Sequence, residues 1–213
     1  MNIAAFNLIF VTFFLSGCAA LIYQLVWQRY LFTGLGVDID SVTLIVSSFM
    51  LGIGIGGSVG GWLADRFPRK RLVIYAYAEL LLSIFGAFSP LIFGGFQILG
   101  ALGWPYAMVS GAAILLVLLP TVIMGSTLPL LTVYFDDAFE NIGVSVGKLY
   151  FSNTLGAALG AWLSAWVLFP MWGLNNSAKI AASINILCFV CVLVAARLDV
   201  NSFETRKTIG GRG

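Results

Sequence analysis

No histidine occurs in this 213-residue chain, and Cys18, Cys188 and Cys191 are its only thiols. A structural zinc site takes about four His, Cys or carboxylate ligands, so no metal centre is expected. Cys188-x-x-Cys191 has a redox-like spacing, but it has no second pair and falls inside an apolar run. All three cysteines read as small apolar packing residues. The chain offers no paired carboxylates and no nucleophile beside a base, so an intramembrane enzyme is the weakest functional class. Neither a cofactor nor a nucleic-acid partner is expected.

Charge is scarce too. Charged residues make up 9% of the chain against 60% hydrophobic ones, and mean hydropathy is +1.00. The longest polar stretch, residues 198–213, is too short for a core of its own and is expected to be a disordered tail. No Lys or Arg precedes Arg29. Leu15-Ser16-Gly17-Cys18 has the form of a lipoprotein cleavage box, yet a leader needs a positive start and a short apolar stretch. Here the apolar run continues to Trp27, so an uncleaved first span is expected.

What remains is six long apolar runs, at 3–27, 41–63, 72–93, 106–133, 149–172 and 178–196. A bilayer-spanning helix needs about 20 apolar residues. Lipid leaves helices as the only sensible spanning form, because every backbone group must be satisfied internally. The expected fold is therefore an all-α membrane protein with one domain over residues 1–197. Of eleven Lys and Arg residues, Arg29 and Lys179 fall on one side of such a topology. Arg66, Arg69, Lys70, Arg71, Lys148, Arg197, Arg206, Lys207 and Arg212 fall on the other. The positive-inside rule places both termini in the cytoplasm. Trp27, Tyr30, Trp104, Tyr106 and Trp172 suit interfacial belts.

Gly52-Ile53-Gly54-Ile55-Gly56-Gly57 matches a dinucleotide fingerprint in letters alone, since it lies within a span rather than after a strand. At helical spacing Gly52, Gly56 and Gly60 form one flat stripe, and Gly57 with Gly61 a neighbouring one. Small residues four apart let another helix approach closely. Gly156 and Gly160 repeat the device in the fifth span. Pro120 and Pro129 remove backbone hydrogen bonds from the fourth span, which is expected to be kinked or broken.

Glu79 is the one ionisable residue clearly within the hydrocarbon, roughly 12 Å along the helix from Arg71, and such residues are functional candidates by default. Tyr75 and Ser83 share its face. If Tyr23, Gln24, Trp27 and Gln28 on the first span and Tyr150, Asn153 and Thr154 on the fifth converge on it, they make a midplane pocket. Its carboxylate could bind a cation or couple transport to protons. The other reading is a glutamate that knits helices together, with the Gln and Asn side chains as interhelical glue.

Between the second and third spans, Gly61-Trp62-Leu63-Ala64-Asp65-Arg66-Phe67-Pro68-Arg69-Lys70-Arg71 resembles the signature loop of major facilitator transporters, with Pro68 where that family usually has glycine. The resemblance implies a gating loop in which Asp65 latches two helices. The same Arg66, Arg69, Lys70 and Arg71 also serve simply to set topology and bind anionic head groups. A broader resemblance is carried by three blocks. They run from Ser16 to Arg29, from Leu119 to Pro129 (Leu-Pro-Thr-Val-Ile-Met-Gly-Ser-Thr-Leu-Pro) and from Gly147 to Gly156 (Gly-Lys-Leu-Tyr-Phe-Ser-Asn-Thr-Leu-Gly). In order and spacing they are similar to the membrane region of bacterial spermidine-synthase-like proteins. That family commonly joins a facilitator-like membrane region to a cytoplasmic aminopropyltransferase-like domain. The expectation is that this chain corresponds to the membrane part alone and is no synthase by itself.

Facilitators normally use two six-helix halves, each an inverted pair of three-helix units. One half is expected here, a 3+3 arrangement that works as a homodimer. It should sit in the bacterial inner membrane and carry a polyamine or related small cationic metabolite. The competing expectation is a non-transporting anchor for a separately encoded, soluble aminopropyltransferase-like enzyme. The segment Tyr134-Phe135-Asp136-Asp137-Ala138-Phe139-Glu140-Asn141 would then be a docking loop, or otherwise a solvated connection.

Overall fold

The computed structural model describes residues 3–36, 39–139 and 141–210, and no strand occurs among them. The chain is a bundle of helices: α1 Ile3–Leu35, α2 Ile39–Arg66, α3 Arg71–Ala101, α4 Tyr106–Phe139, α5 Ile142–Leu163 and α6 Phe169–Gly210. A 3-10 turn, Pro68–Lys70, joins α2 to α3, and a single π-helical stretch, Ser164–Leu168, joins α5 to α6. Among the described residues, five helical segments are long and apolar enough to cross a membrane, the last of them Ile142–Leu198.

Local chemistry sets the ends. α2 stops before Pro68, whose ring disfavours helical geometry at Phe67, where φ is −127° and ψ 61°. Asn141 caps α5 by accepting a hydrogen bond from the Val144 amide at 3.1 Å. The long last segment is interrupted at Gly173, with φ 68° and ψ 177°, a conformation open essentially to glycine alone.

Residue pairing gives the helix directions. α3 runs parallel to α1, since Ser16 meets Glu79 and Trp27 meets Phe93. α5 also runs parallel to α1, with Ser152 on Phe10 and Gly160 on Cys18. α6 runs antiparallel to both, with Cys188 on Thr12 and Ser83 on Ala182. The chain therefore reverses at Gly173. α2 and α4 form a parallel pair, with Gly52 against Thr121 and Gly60 against Ser126. The apolar core divides along the bundle into a cluster around Tyr23, Trp27 and Phe93 at one end and one around Phe13, Leu72 and Phe135 at the other.

Several expectations need correction. The helices overrun the apolar runs: α1 extends beyond Trp27 to Leu35 and α4 beyond Val133 to Phe139. Trp27 is fully buried rather than interfacial, stacked near Tyr23 with ring centroids 5.2 Å apart. Tyr134 and Phe135 belong to α4, not to a loop. Phe135 is buried against Phe6 in an edge-to-face contact at 4.9 Å. Glu140 lies outside the described residues. The tail continues as helix to Gly210, and residues 211–213, including Arg212, lie outside the description. α4 is not broken: it passes through both Pro120 and Pro129 as one helix. Beside those prolines, Thr121, Ser126 and Thr127 hydroxyls donate to α4 carbonyls, which supplies polar contact within a proline-depleted ladder.

Candidate functional site

Glu79 lies at the seam of α1, α3 and α6 and is wholly buried. The Ser16 hydroxyl of α1 donates to its Oε1 at 2.6 Å, while Oε2 has no hydrogen-bond partner among the described residues. Tyr75, one turn earlier on α3 and also fully buried, places its hydroxyl beside the same carboxyl. It is close enough to interact, but no hydrogen bond of proper geometry forms. Tyr23 of α1 is equally buried and within electrostatic range of Glu79, as is Cys188 of α6.

Gly86 makes this arrangement possible. A Cβ there would overlap the Tyr23 ring, so glycine lets the ring lie directly on the α3 backbone. Phe13 packs on Tyr75 at 6.2 Å and closes the seam toward the Phe135 cluster. Among the described residues, five buried polar atoms find no hydrogen bond: Glu79 Oε2, Tyr75 OH, Tyr23 OH, Trp27 Nε1 and Asn185 Oδ1. All five are carried by α1, α3 and α6. Buried polar groups are ordinarily satisfied, so their concentration in one seam singles it out from the rest of the interior.

Chemically, the seam is a carboxyl with one neutral donor and one open oxygen, bordered by two tyrosines. An ionised carboxylate buried without a cation is destabilising by several kcal/mol. A proton or a bound cation on Glu79 removes that penalty.

The other expected site residues go elsewhere. Asn153 donates to the Phe13 carbonyl at 3.2 Å and ties α5 to α1, as the glue reading had it. Tyr150 is 62% exposed, and Thr154 is exposed as well, so the fifth span does not converge on Glu79. Gln24 is half-buried on α1. Ser83 shares the face of Glu79 but donates to the Ala182 carbonyl of α6 at 2.9 Å. Asn185 and Gly86 lie outside the expected set. A polar amide inside the sixth run is the signal for Asn185, whereas only a packed structure reveals Gly86.

Close packing follows the glycine stripes. Cβ atoms at Gly52, Gly56 and Gly60 would run into Thr121, Val122 with Gly125, and Ser126 of α4. At Gly156 and Gly160 they would strike the Phe14 and Cys18 backbones of α1. Gly57 and Gly61 face open space instead.

In the loop, Asp65 is exposed and makes no ion pair among the described residues. Arg66, Arg69 and Lys70 are exposed, but Arg71 is buried and its Nε donates to the Ala64 carbonyl at 3.0 Å. A cation bonded to the C-terminal carbonyls of α2 complements the helix dipole and fixes the α2–α3 corner.

Comparisons with known proteins bear on the chain as a whole. It is 25% identical over 183 residues to a polyamine aminopropyltransferase of Oceanobacillus iheyensis, covering 83% of this chain and 33% of that protein. It is 28% identical over 196 residues to a polyamine aminopropyltransferase of Corynebacterium efficiens, covering 88% and 36% respectively. A 3-(3-hydroxy-phenyl)propionate transporter of Escherichia coli K12 is 32% identical over 121 residues, 56% of this chain and 26% of the transporter. The chain thus spans about a third of the length of the aminopropyltransferases it matches. No family model matches it, and no solved structure does. Among the described residues, the matched region is a helical bundle with no catalytic domain evident.

Proposed function

We propose that this chain is a six-span, half-facilitator-like membrane module that binds a small organic amine of the polyamine class at Glu79 and passes it across or out of the bilayer. The observation that carries this reading is the wholly buried carboxyl whose second oxygen has no partner. An ammonium group supplies the charge that oxygen is missing, and the Tyr75 side chain beside it suits an organic cation, with Tyr23 within electrostatic range. The seam is closed in this conformation, so binding requires α1 or α6 to move away from α3, as in alternating access.

The reversal at Gly173 supports six crossings rather than five. Gly52 and Gly56 stand at one common sequence offset from Gly156 and Gly160, and both pairs press closely on a neighbouring helix, which supports a 3+3 repeat. Similarity to both aminopropyltransferases and a transporter agrees with a polyamine-handling membrane region. In this reading the protein sits in the bacterial inner membrane with both termini cytoplasmic and works as a homodimer.

Uptake of a labelled polyamine into proteoliposomes tests the proposal. Wild type should exceed empty liposomes, and Glu79→Gln should fall to their level. Wild-type flux at the empty-liposome level would sink it.

The names of the aminopropyltransferase relatives favour a second reading, a membrane anchor for a soluble aminopropyltransferase-like enzyme. Of the expected acidic-aromatic docking segment, Phe135 is buried in α4 while Tyr134 is half-buried. Exposed Arg66, Arg69 and Lys70 remain as a docking surface. Affinity purification from native membranes without any co-purifying soluble protein would exclude anchoring.

A further inference from the structure

Arg29, near the C-terminal end of α1, stands at the end of the bundle opposite Arg66, Arg69, Lys70 and Arg71. It borders a cleft of about 710 Å³ lined by Leu25, Gln28, Arg29, Phe32, Thr33 and Leu174. The guanidinium carbon sits 5.0 Å from the centroid of the Phe169 ring, a cation–π contact that holds the side chain at the cleft. Arg29 makes no ion pair among the described residues. Among the described residues, the cleft therefore presents a positioned cation without a counter-charge.

Its neighbours narrow the ligand chemistry. The Thr33 hydroxyl donates to the Arg29 carbonyl at 3.1 Å, so its proton is engaged within α1. Gln28, half-buried, offers amide N–H groups beside the guanidinium. Leu25, Phe32 and Leu174 supply apolar walls. Trp104, Tyr106 and Trp172 are exposed at this end, as aromatic residues are where a bundle meets the head-group layer. A ligand complementary to this set has an oxyanion at one end and a hydrocarbon body along the other. A free phosphate would meet the cation but leave the apolar walls uncovered.

We propose that this cleft binds an anionic lipid, with its phosphate against Arg29 and Gln28 and its acyl chains along Leu25, Phe32 and Leu174. The site is separate from Glu79 and of opposite charge preference, and it stands whether or not Glu79 binds an amine. The planar guanidinium fork suits two phosphate oxygens at once, and ring stacking orients it before the lipid arrives.

The test is native mass spectrometry of the full chain purified in mild detergent and titrated with phosphatidylglycerol, phosphatidylcholine or inorganic phosphate. Wild type should retain phosphatidylglycerol in preference to phosphatidylcholine, and excess inorganic phosphate should not displace it. Arg29→Gln should weaken phosphatidylglycerol retention about fivefold, the scale of one basic residue at an anionic membrane surface. Arg29→Lys should fall between the two, because it keeps charge but loses the fork. Glu79→Gln should retain lipid like wild type. Circular dichroism confirms that each variant is folded. Equal retention by folded wild type and Arg29→Gln overturns the proposal, as does equal binding of phosphatidylcholine. Displacement by inorganic phosphate overturns it in favour of a free-oxyanion site.

Discussion

The α2–α4 pair and the α1–α3–α6 seam are built on opposite principles within one bundle. Along α2, Gly52, Gly56 and Gly60 bring α4 into backbone contact and leave no room for a Cβ. Along the seam, Tyr23, Trp27 and Tyr75 fill the space between helices with fully buried rings, and polar atoms they carry find no hydrogen bond among the described residues. Backbone contact gives dispersion and a tight fit with nothing left to satisfy. Aromatic spacing leaves room for polar atoms at a standing energetic penalty. The first region is suited to moving as a rigid unit. The second stores unmet hydrogen bonds that a ligand or a proton can satisfy.

The largest expected effect breaks the tight side. Gly56→Leu would drive a side chain into Val122 and Gly125 and should lower stability by about 3 kcal/mol or more, read as loss of a monodisperse, cooperatively melting species in detergent. Gly54→Leu faces open space and serves as its control, with a change within about 0.5 kcal/mol. If both behave alike, the glycine seam is not what holds α2 to α4.

Next come the residues that shape the polar side. Gly86→Ala should displace the Tyr23 ring and cost about 1–3 kcal/mol. Ser16→Ala removes the donor to Glu79 and should lower the melting stability by about 1–3 kcal/mol, because it leaves a buried acceptor wholly unpaired. Glu79→Gln keeps an acceptor for Ser16 and removes the charge. Its stability should stay within about 1 kcal/mol of wild type while polyamine binding falls at least about tenfold, the scale of a charge-assisted hydrogen bond. Matched losses of stability and binding would make Glu79 a structural strut instead.

The smallest effects sharpen the contrast. Tyr23→Phe deletes a hydroxyl with no partner, so melting should be unchanged or slightly raised, by up to about 1 kcal/mol, while amine binding weakens. Tyr150→Ala, on the outer face, should leave polyamine binding as in wild type. A strong loss of binding there would return the fifth span to the site.

The choice of Glu79 as the site's centre was available from one acid standing far into an apolar run, and the glycine stripes from spacing alone. The company Glu79 keeps was not. Periodicity shows that Tyr75 and Ser83 share its face, but Ser83 turns to the Ala182 carbonyl because α6 lies against that part of α3. Tyr150 and Asn153 are three residues apart, yet one faces outward and the other bonds to α1, a distinction set by how α5 is rotated about its axis. Several helix ends run past the apolar stretches for a related reason. Hydropathy detects where apolar residues stop, whereas α4 continues through Phe135, whose buried ring packs edge-to-face on the partly buried Phe6.

Composition and spacing by themselves determined that this chain is all helix, that its helices are long and apolar enough for a bilayer, and which faces are small enough to touch. Those properties are local, set by the need to satisfy the backbone within each segment and by the size of side chains four residues apart. Which helix answers each face, which polar atoms are left unanswered, and that Arg29, beside an apolar cleft, has no counter-charge among the described residues were decided only by the tertiary structure. Contacts between residues far apart in sequence depend on the rotation and direction of whole helices, and no single segment carries that information.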